Sequence, residues 1–274
     1  GSLRPAGEEE LVASALARAG PRERRSVGRE RGQAVGSFLV GDALDASAFD
    51  VERVRQDFPI LAKPMRGKPL VFLDSAASAQ KPQAVIDAIS KTYDSDYANV
   101  HRAVYELSER ATAAYEKARV KIARYINAKD PHEVIYVRGT TEAINLVANT
   151  WGAKNLKPGD VILLTEAEHH SNIVPWQMVC EATGARVVVV PISERGEVDP
   201  EDVRRLISPR TRLVGVAHVS NALGTILPVA EIISIAHGAG IPVLVDGAQA
   251  VAHMKHATHF TRPCSSRFRR CTPR

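Results

Sequence analysis

Five short apolar runs, spaced along the second half of the chain and separated by stretches of helical character, limit the possible folds more than any other feature of this sequence. They are Val134-Ile-Tyr-Val137, Val161-Ile-Leu-Leu164, Arg186 to Val190, Leu213 to Ala217 and Val243-Leu-Val245. Between them lie helical candidates at Thr141 to Trp151, Ile173 to Ala182, Pro200 to Ile207 and Val229 to His237. A strand that is apolar on both faces has to be covered on both, which predicts an α/β domain with a mostly parallel sheet and helices on either side. In such sheets ligands bind beyond the carboxyl ends of the strands.

Upstream of the alternation the pattern differs. Residues 1 to about 45 are rich in Gly, Arg, Ala and Glu without an apolar period, and read as a poorly ordered leader. Val51, Val54 and Phe58 sit at helical spacing ahead of Pro59, and Leu70-Val-Phe-Leu73 reads as a short buried strand ending at Asp74. Two further helices are expected around Pro82 to Tyr93 and Leu107 to Ile126. The domain assignment is therefore a leader over 1–45, a ligand-binding domain over 46–254, and an unstructured tail over 255–274.

Composition removes several function classes. A chain of 274 residues with 45% hydrophobic content buries a real core. The net charge of +5 comes mainly from arginines near the two ends, such as Arg24, Arg25, Arg269 and Arg270, leaving the middle nearly balanced. No basic face with interleaved aromatics is visible, so no nucleic-acid partner is expected. Cys180, Cys264 and Cys271 have neither metal-ligand nor disulfide spacing, which suits a cytoplasmic protein without a bound metal. No apolar run is long enough for a membrane span, and the leader lacks the apolar core of a secretory signal.

Chemistry-bearing residues gather where the strands are expected to end. After the first run comes Arg138-Gly139-Thr140-Thr141-Glu142. Glycine admits a close ligand, the threonines offer hydroxyls and a helix start offers free N–H groups, as a phosphate cradle requires; a Thr N-cap without ligand has the same sequence. The second run leads into Glu168-His169-His170-Ser171-Asn172. A metal ligand, a ring stacked on an aromatic cofactor and a plain loop histidine all remain open for His169. The fourth run is followed by His218-Val-Ser220-Asn221, the fifth by Asp246-Gly247-Ala248-Gln249. An aspartate directly after Val243-Leu-Val245 is half-buried by position and needs a cationic partner. A protonated pyridine nitrogen is one candidate and a magnesium ion another, though the chain has no Gly-rich Lys-Ser/Thr loop to hold a nucleotide.

Taken together, these motifs resemble the group II, SufS-like cysteine desulfurases of the aminotransferase class V family. Phe58-Pro-Ile-Leu61, Leu73-Asp-Ser-Ala-Ala-Ser-Ala-Gln-Lys-Pro82, Val100-His-Arg102, Val137-Arg-Gly-Thr-Thr-Glu142, Glu168-His-His-Ser-Asn-Ile-Val-Pro-Trp-Gln177, His218-Val-Ser-Asn221 and Val245-Asp-Gly-Ala-Gln-Ala-Val251 match in order and spacing, from Phe49 to Met254. The resemblance implies the fold of type I pyridoxal 5'-phosphate (PLP) enzymes. It also implies conversion of L-cysteine to L-alanine, with the sulfur passed as a persulfide to an acceptor protein of iron–sulfur assembly, by a homodimer. It assigns Thr140 and Thr141 to the PLP phosphate and His169 to ring stacking and proton movement. Asp246 is assigned to the pyridinium nitrogen, and Gln249 and Asn221 to the edge carrying the phenolic oxygen. His101 and Arg102 are placed near the substrate.

The resemblance breaks after Met254. Family members carry a strand ending in Ser-Gly-His-Lys roughly two dozen residues beyond the Asp-Gly-Ala-Gln segment, and its lysine forms the resting Schiff base. Here Lys255 to Arg274 shows neither an apolar strand nor a helical period. Lys255 follows the Asp246 strand too closely to return to the ring, and Cys264 and Cys271 do not match the family nucleophile. The expectation is a chain that stops before the lysine, lacks the C-terminal small domain, and carries an out-of-frame tail. Two other readings are a selenocysteine lyase or related class V enzyme, and a non-catalytic PLP-fold protein.

Overall fold

The structure, a computed structural model, describes residues 49–101 and 104–254. The expected leader and tail, including Lys255, Cys264 and Cys271, lie outside the described residues, as does Arg102. The chain divides into two units at Asp50 and Val51, and the architecture below belongs to the second.

Four parallel strands form the sheet: β1 (Val161–Thr165), β2 (Arg186–Val190), β3 (Thr211–Ala217) and β4 (Val243–Asp246), in the order β2-β1-β3-β4. Among the described residues, the α-helices of six or more residues are α1 (Val51–Gln56), α2 (Gln83–Lys91), α3 (Glu106–Tyr125), α4 (Thr140–Val147), α5 (Val174–Thr183), α6 (Pro200–Leu206) and α7 (Val229–Gly238). Each expected helix is present. So is the α/β architecture with a parallel sheet.

The alternation of side chains along a strand explains the two layers. Leu163, Val214 and Val216 point into a cluster with Val203 of α6 and Ile232 and Ala236 of α7. Ile162, Leu164 and Leu213 point the other way, against Ile144 of α4 and Trp176, Val179 and Cys180 of α5. All five residues of β1 are buried. Each large apolar side chain removed from water this way contributes about 1.5–3 kcal/mol. On the second face the packing is tight enough to demand glycine: a Cβ on Gly215 would lie 2.5 Å from Leu164 Cδ2 and 3.4 Å from Asn172 Nδ2. Gly184, at φ 73°, ends α5 in a left-handed turn and allows the chain to reverse into β2.

Two expected strands are not strands. Leu70 to Leu73 forms no ladder, with Val71 76% and Leu73 91% exposed. Val134 to Val137 likewise forms no ladder; only Val134 is buried. A strand exists only where a neighbour completes its hydrogen bonds, and among the described residues no strand lies beside either segment. The apolar runs are real, but they have no ladder partner.

The strand order also locates the site. From β1 the chain moves outward to β2, then returns past β1 to β3 and on to β4, so the direction of winding reverses between β1 and β3. The crevice outside the carboxyl ends at such a reversal is where open α/β sheets bind ligands.

Candidate active site

Four segments reach this crevice. α4 begins at Thr140 and Thr141 after Gly139, and its first turn presents backbone N–H groups that no earlier helical residue can satisfy. A Cβ added to Gly139 would meet nothing within 4 Å, so the space above the helix start is open. Glu142 reaches back to accept the Arg138 N–H at 2.6 Å and pairs with the Arg138 guanidinium at 3.1 and 3.2 Å. That contact holds the Glu142 carboxyl below its ordinary range and keeps its charge turned toward Arg138. The same helix packs against the turn at His170–Asn172, bringing Thr140 and Thr141 to the loop after β1.

In that loop His169 Nδ1 accepts the Ser171 N–H at 3.2 Å and lies 2.8 Å from Ser171 Oγ. An accepting Nδ1 assigns the ring proton to Nε2. The imidazole is exposed and meets His170 edge-on, with ring centroids 6.0 Å apart. Its face is therefore available for stacking.

Beyond β3, the loop carrying Asn221 is closed by Ser220 N–H to Thr225 O and Leu227 N–H to His218 O, both 3.0 Å. Ser220 is buried and Asn221 exposed. Beyond β4, Asp246 is 8% exposed, and its Oδ1 accepts the Ala248 N–H at 2.9 Å. Gln249 donates from Nε2 to Ala76 O at 2.8 Å, tying the end of β4 to the turn after Asp74. One Nε2 hydrogen of Gln249 is used in that contact; the amide carries two.

Sequence reasoning missed Glu168. It is 9% exposed and accepts three hydrogen bonds: from Thr165 Oγ1 at 2.6 Å, Asn172 Nδ2 at 2.7 Å and the Ala217 N–H at 2.8 Å. Burial, and then the negative charge of Asp246, push its carboxyl above the ordinary glutamate range against the pull of those three donors. A signal was available, because Glu168 closely follows a fully buried strand, the same argument that singled out Asp246.

Arg53 and His218 aside, no Lys, Arg or His side chain among the described residues forms an ion pair with Asp246 or Glu168. Two buried acids are costly unless a cation, from the protein or from a ligand, lies beside them. No group of three metal-ligating side chains is found among the described residues either. His101 belongs to another cluster: its N–H donates to Thr112 Oγ1 at 3.0 Å and its Nε2 contacts Glu116 Oε1 at 3.0 Å, both on α3. None of these contacts reaches the strand ends. His101 also holds a φ of 58°, a left-handed conformation uncommon outside glycine.

Residues 71–260 match the aminotransferase class-V family. The chain belongs to this family. It is 53% identical over 209 residues to a cysteine desulfurase of Synechococcus elongatus, covering 76% of this chain and 33% of that protein. It is 52% identical over 208 residues to a cysteine desulfurase of Cronobacter sakazakii, covering 76% and 51%. Among solved structures it resembles a cysteine desulfurase from Escherichia coli, with a TM-score of 0.66, 40% identity and coverage of 76% and 51%. It also resembles one from Thermococcus onnurineus, with a TM-score of 0.69, 36% identity and coverage of 75% and 49%. The chain spans about half or less of the length of the relatives it matches.

The class V family uses PLP, and the residues present fit it. The open helix start suits a phosphate, the exposed ring of His169 suits a flat ring, and the buried Asp246 carboxylate suits a protonated ring nitrogen.

Proposed function

We propose that this chain forms the cofactor-binding part of a PLP-dependent cysteine desulfurase, which converts L-cysteine to L-alanine and passes the sulfur on as a persulfide. The observation that carries this reading is the gathering, at the carboxyl ends of the strands, of the buried Asp246 carboxylate, the open start of α4 and the exposed His169 ring. When bound, PLP supplies an electron sink for bond cleavage beside the substrate amino group. Asp246 keeps the ring nitrogen protonated, with its own carboxylate oriented by the Ala248 N–H. Thr140, Thr141 and the free N–H groups of α4 hold the phosphate. His169 stacks on the ring and moves protons from Nε2, while Ser171 fixes the orientation of its ring. Asn221 and the remaining Nε2 hydrogen of Gln249 serve the edge with the phenolic oxygen.

The assignment of His101 and Arg102 to the substrate side rests on resemblance alone, as do homodimer formation and delivery of sulfur to an acceptor protein of iron–sulfur assembly. A cytoplasmic location suits the free, buried thiol of Cys180. No described helix is long and apolar enough to cross a membrane.

Titrating the 274-residue chain with PLP, followed by tryptophan quenching, tests the site. Saturable binding that weakens at least about tenfold in Asp246→Ala is expected, the scale of losing one charged contact; equal affinity in that variant overturns the assignment. Alanine formation from L-cysteine by the full-length protein tests the reaction, and its absence with PLP bound removes the desulfurase reading.

A further inference from the structure

Glu168 has no role in the reading above, yet its surroundings are the most elaborate in the crevice. The β1–β3 ladder ends at Leu164 and Gly215, because the chain turns away after Thr165. The next N–H of β3 on that side belongs to Ala217, and it donates to Glu168 Oε1 instead of to a β1 carbonyl. The side chain thus replaces a missing ladder rung at the point where winding reverses. Ala217 is in turn the register partner of Asp246 in the β3–β4 ladder. On the other side Asn172 donates to Glu168 Oε2 and accepts the Trp176 indole N–H at 3.0 Å, anchoring the carboxylate to a fully buried ring.

A backbone N–H needs only a carbonyl-type acceptor, so closing the ladder does not require a charge. The contacts on Glu168 from Thr165, Asn172 and Ala217 are all neutral donors, and the charged group whose field reaches it is Asp246. Two buried acids are linked through Ala217, one acting on the other, where an amide or an apolar residue would be less costly. Each carboxylate oxygen accepts an N–H, Oε1 from Ala217 and Oε2 from Asn172, and the Thr165 hydroxyl donates to Oε1 as well, a set that suits the ionised form.

We propose that Glu168 is a positioning residue whose buried charge, acting through Asp246, makes the crevice select a flat phosphorylated ligand with a protonated ring nitrogen. This rests on the reading of Asp246 as the partner of that nitrogen. A ligand cation beside Asp246 relieves the repulsion between the two acids, so it is bound more tightly than a neutral ring of the same shape.

Two probes separate the charge from the packing: 4'-deoxypyridoxine 5'-phosphate, which cannot react with amines, and its counterpart with carbon in place of the ring nitrogen. Their affinities for the 274-residue chain are compared by tryptophan quenching at neutral pH. The unsubstituted chain is expected to prefer the pyridine, and Glu168→Gln to lower that preference about tenfold, a typical size for coupling between neighbouring sites. A packing defect would weaken both probes alike and leave their ratio intact. In Glu168→Gln the new amide faces the Asn172 amide donor-to-donor. Adding Asn172→Asp repairs that contact, returns a negative charge to the network, and is expected to restore the preference. Thr165→Val removes one donor from the ionised carboxylate and should lower the ratio in the same direction by less, which keeps the idea testable if Glu168→Gln does not fold. An unchanged ratio in these variants overturns the role of Glu168 and leaves the Asp246 reading standing. If the unsubstituted chain binds neither probe, both fall together.

Discussion

In β1 all five side chains are buried, whereas in α2, of nine residues, none is. The contrast extends to the two regions around them. From Thr140 to Ala250 the apolar residues close two clusters on either face of the sheet. From Val51 to Val137 they stay largely outside: Val71, Leu73, Tyr93, Tyr97 and Val104 are all at least 70% exposed. The long helix α3 buries only Ser108 and Ala123. The Arg119 guanidinium holds Val134 O within this region, and Tyr125 Oη reaches across to Val251 O at 2.7 Å. The sheet region takes its stability from its own interior. The N-terminal region has amphipathic helices whose apolar faces are only partly covered among the described residues, α3 by contacts such as Tyr115 on Tyr136 and α2 with no buried residue. The two regions should therefore differ in how they respond to substitution.

The largest expected effect comes from Trp176→Ala. It removes a fully buried ring and leaves Asn172 Oδ1 without its donor, and should cost about 3–5 kcal/mol. Val104→Ala, at a side chain 97% exposed, should stay within about 0.5 kcal/mol. Urea denaturation of both variants checks the contrast, and comparable losses would mean that the N-terminal apolar face is covered in solution. Amide exchange on the same chain should follow the same division, slow in β1 and β3 and fast along α2.

The sheet was legible in the sequence because its signals are local. A run such as Val161 to Leu164 between helical stretches can be buried on both faces only inside a layered domain, and the residues after each run fall at strand ends by construction. Leu70 to Leu73 and Val134 to Val137 were misread for the complementary reason. Apolar runs say what a segment would bury, but a ladder depends on a neighbour elsewhere in the chain. Glu168 was read as an acidic flank to a histidine pair, since nothing local announces that Ala217, far along the chain, lacks a carbonyl to bond. His101 is placed near the substrate by resemblance alone, and its partners in the structure, Thr112 and Glu116, lie on α3.

An intermediate effect is expected from the pH dependence of the buried acid. The folded chain holds the Glu168 proton more tightly than the unfolded chain, whose glutamate titrates near 4.5. The folded state therefore binds more protons in the window above 4.5, and stability falls as pH rises through that window to the raised folded value. Each unit of displacement corresponds to about 1.4 kcal/mol. Measured as the difference in urea midpoint between the unsubstituted chain and Glu168→Gln, the curve should move against the unsubstituted chain on going from acid to neutral pH. A flat difference would show that the three donors offset burial completely.

The smallest effect is expected at the entrance to α4, where Glu142 and Arg138 are both exposed to solvent. Here the folded carboxyl is lowered, first by its hydrogen bond to the Arg138 guanidinium and then by the one from the Arg138 N–H. The sign is opposite to that of Glu168: the contribution is present above the ordinary value of 4.5 and is lost as pH falls through the lowered folded value. Glu142→Gln should therefore lower Tm only slightly at neutral pH, with the difference shrinking in acid and in high salt, since exposed pairs are screened. Because the glutamine still reaches the Arg138 N–H, the helix start keeps its shape, and phosphate-end binding should survive the substitution. A large loss of Tm would mean that the start of α4 relies on this ion pair as heavily as β1 relies on Trp176, and the division between an internally stabilised sheet and a lightly held periphery would have to be redrawn at Gly139.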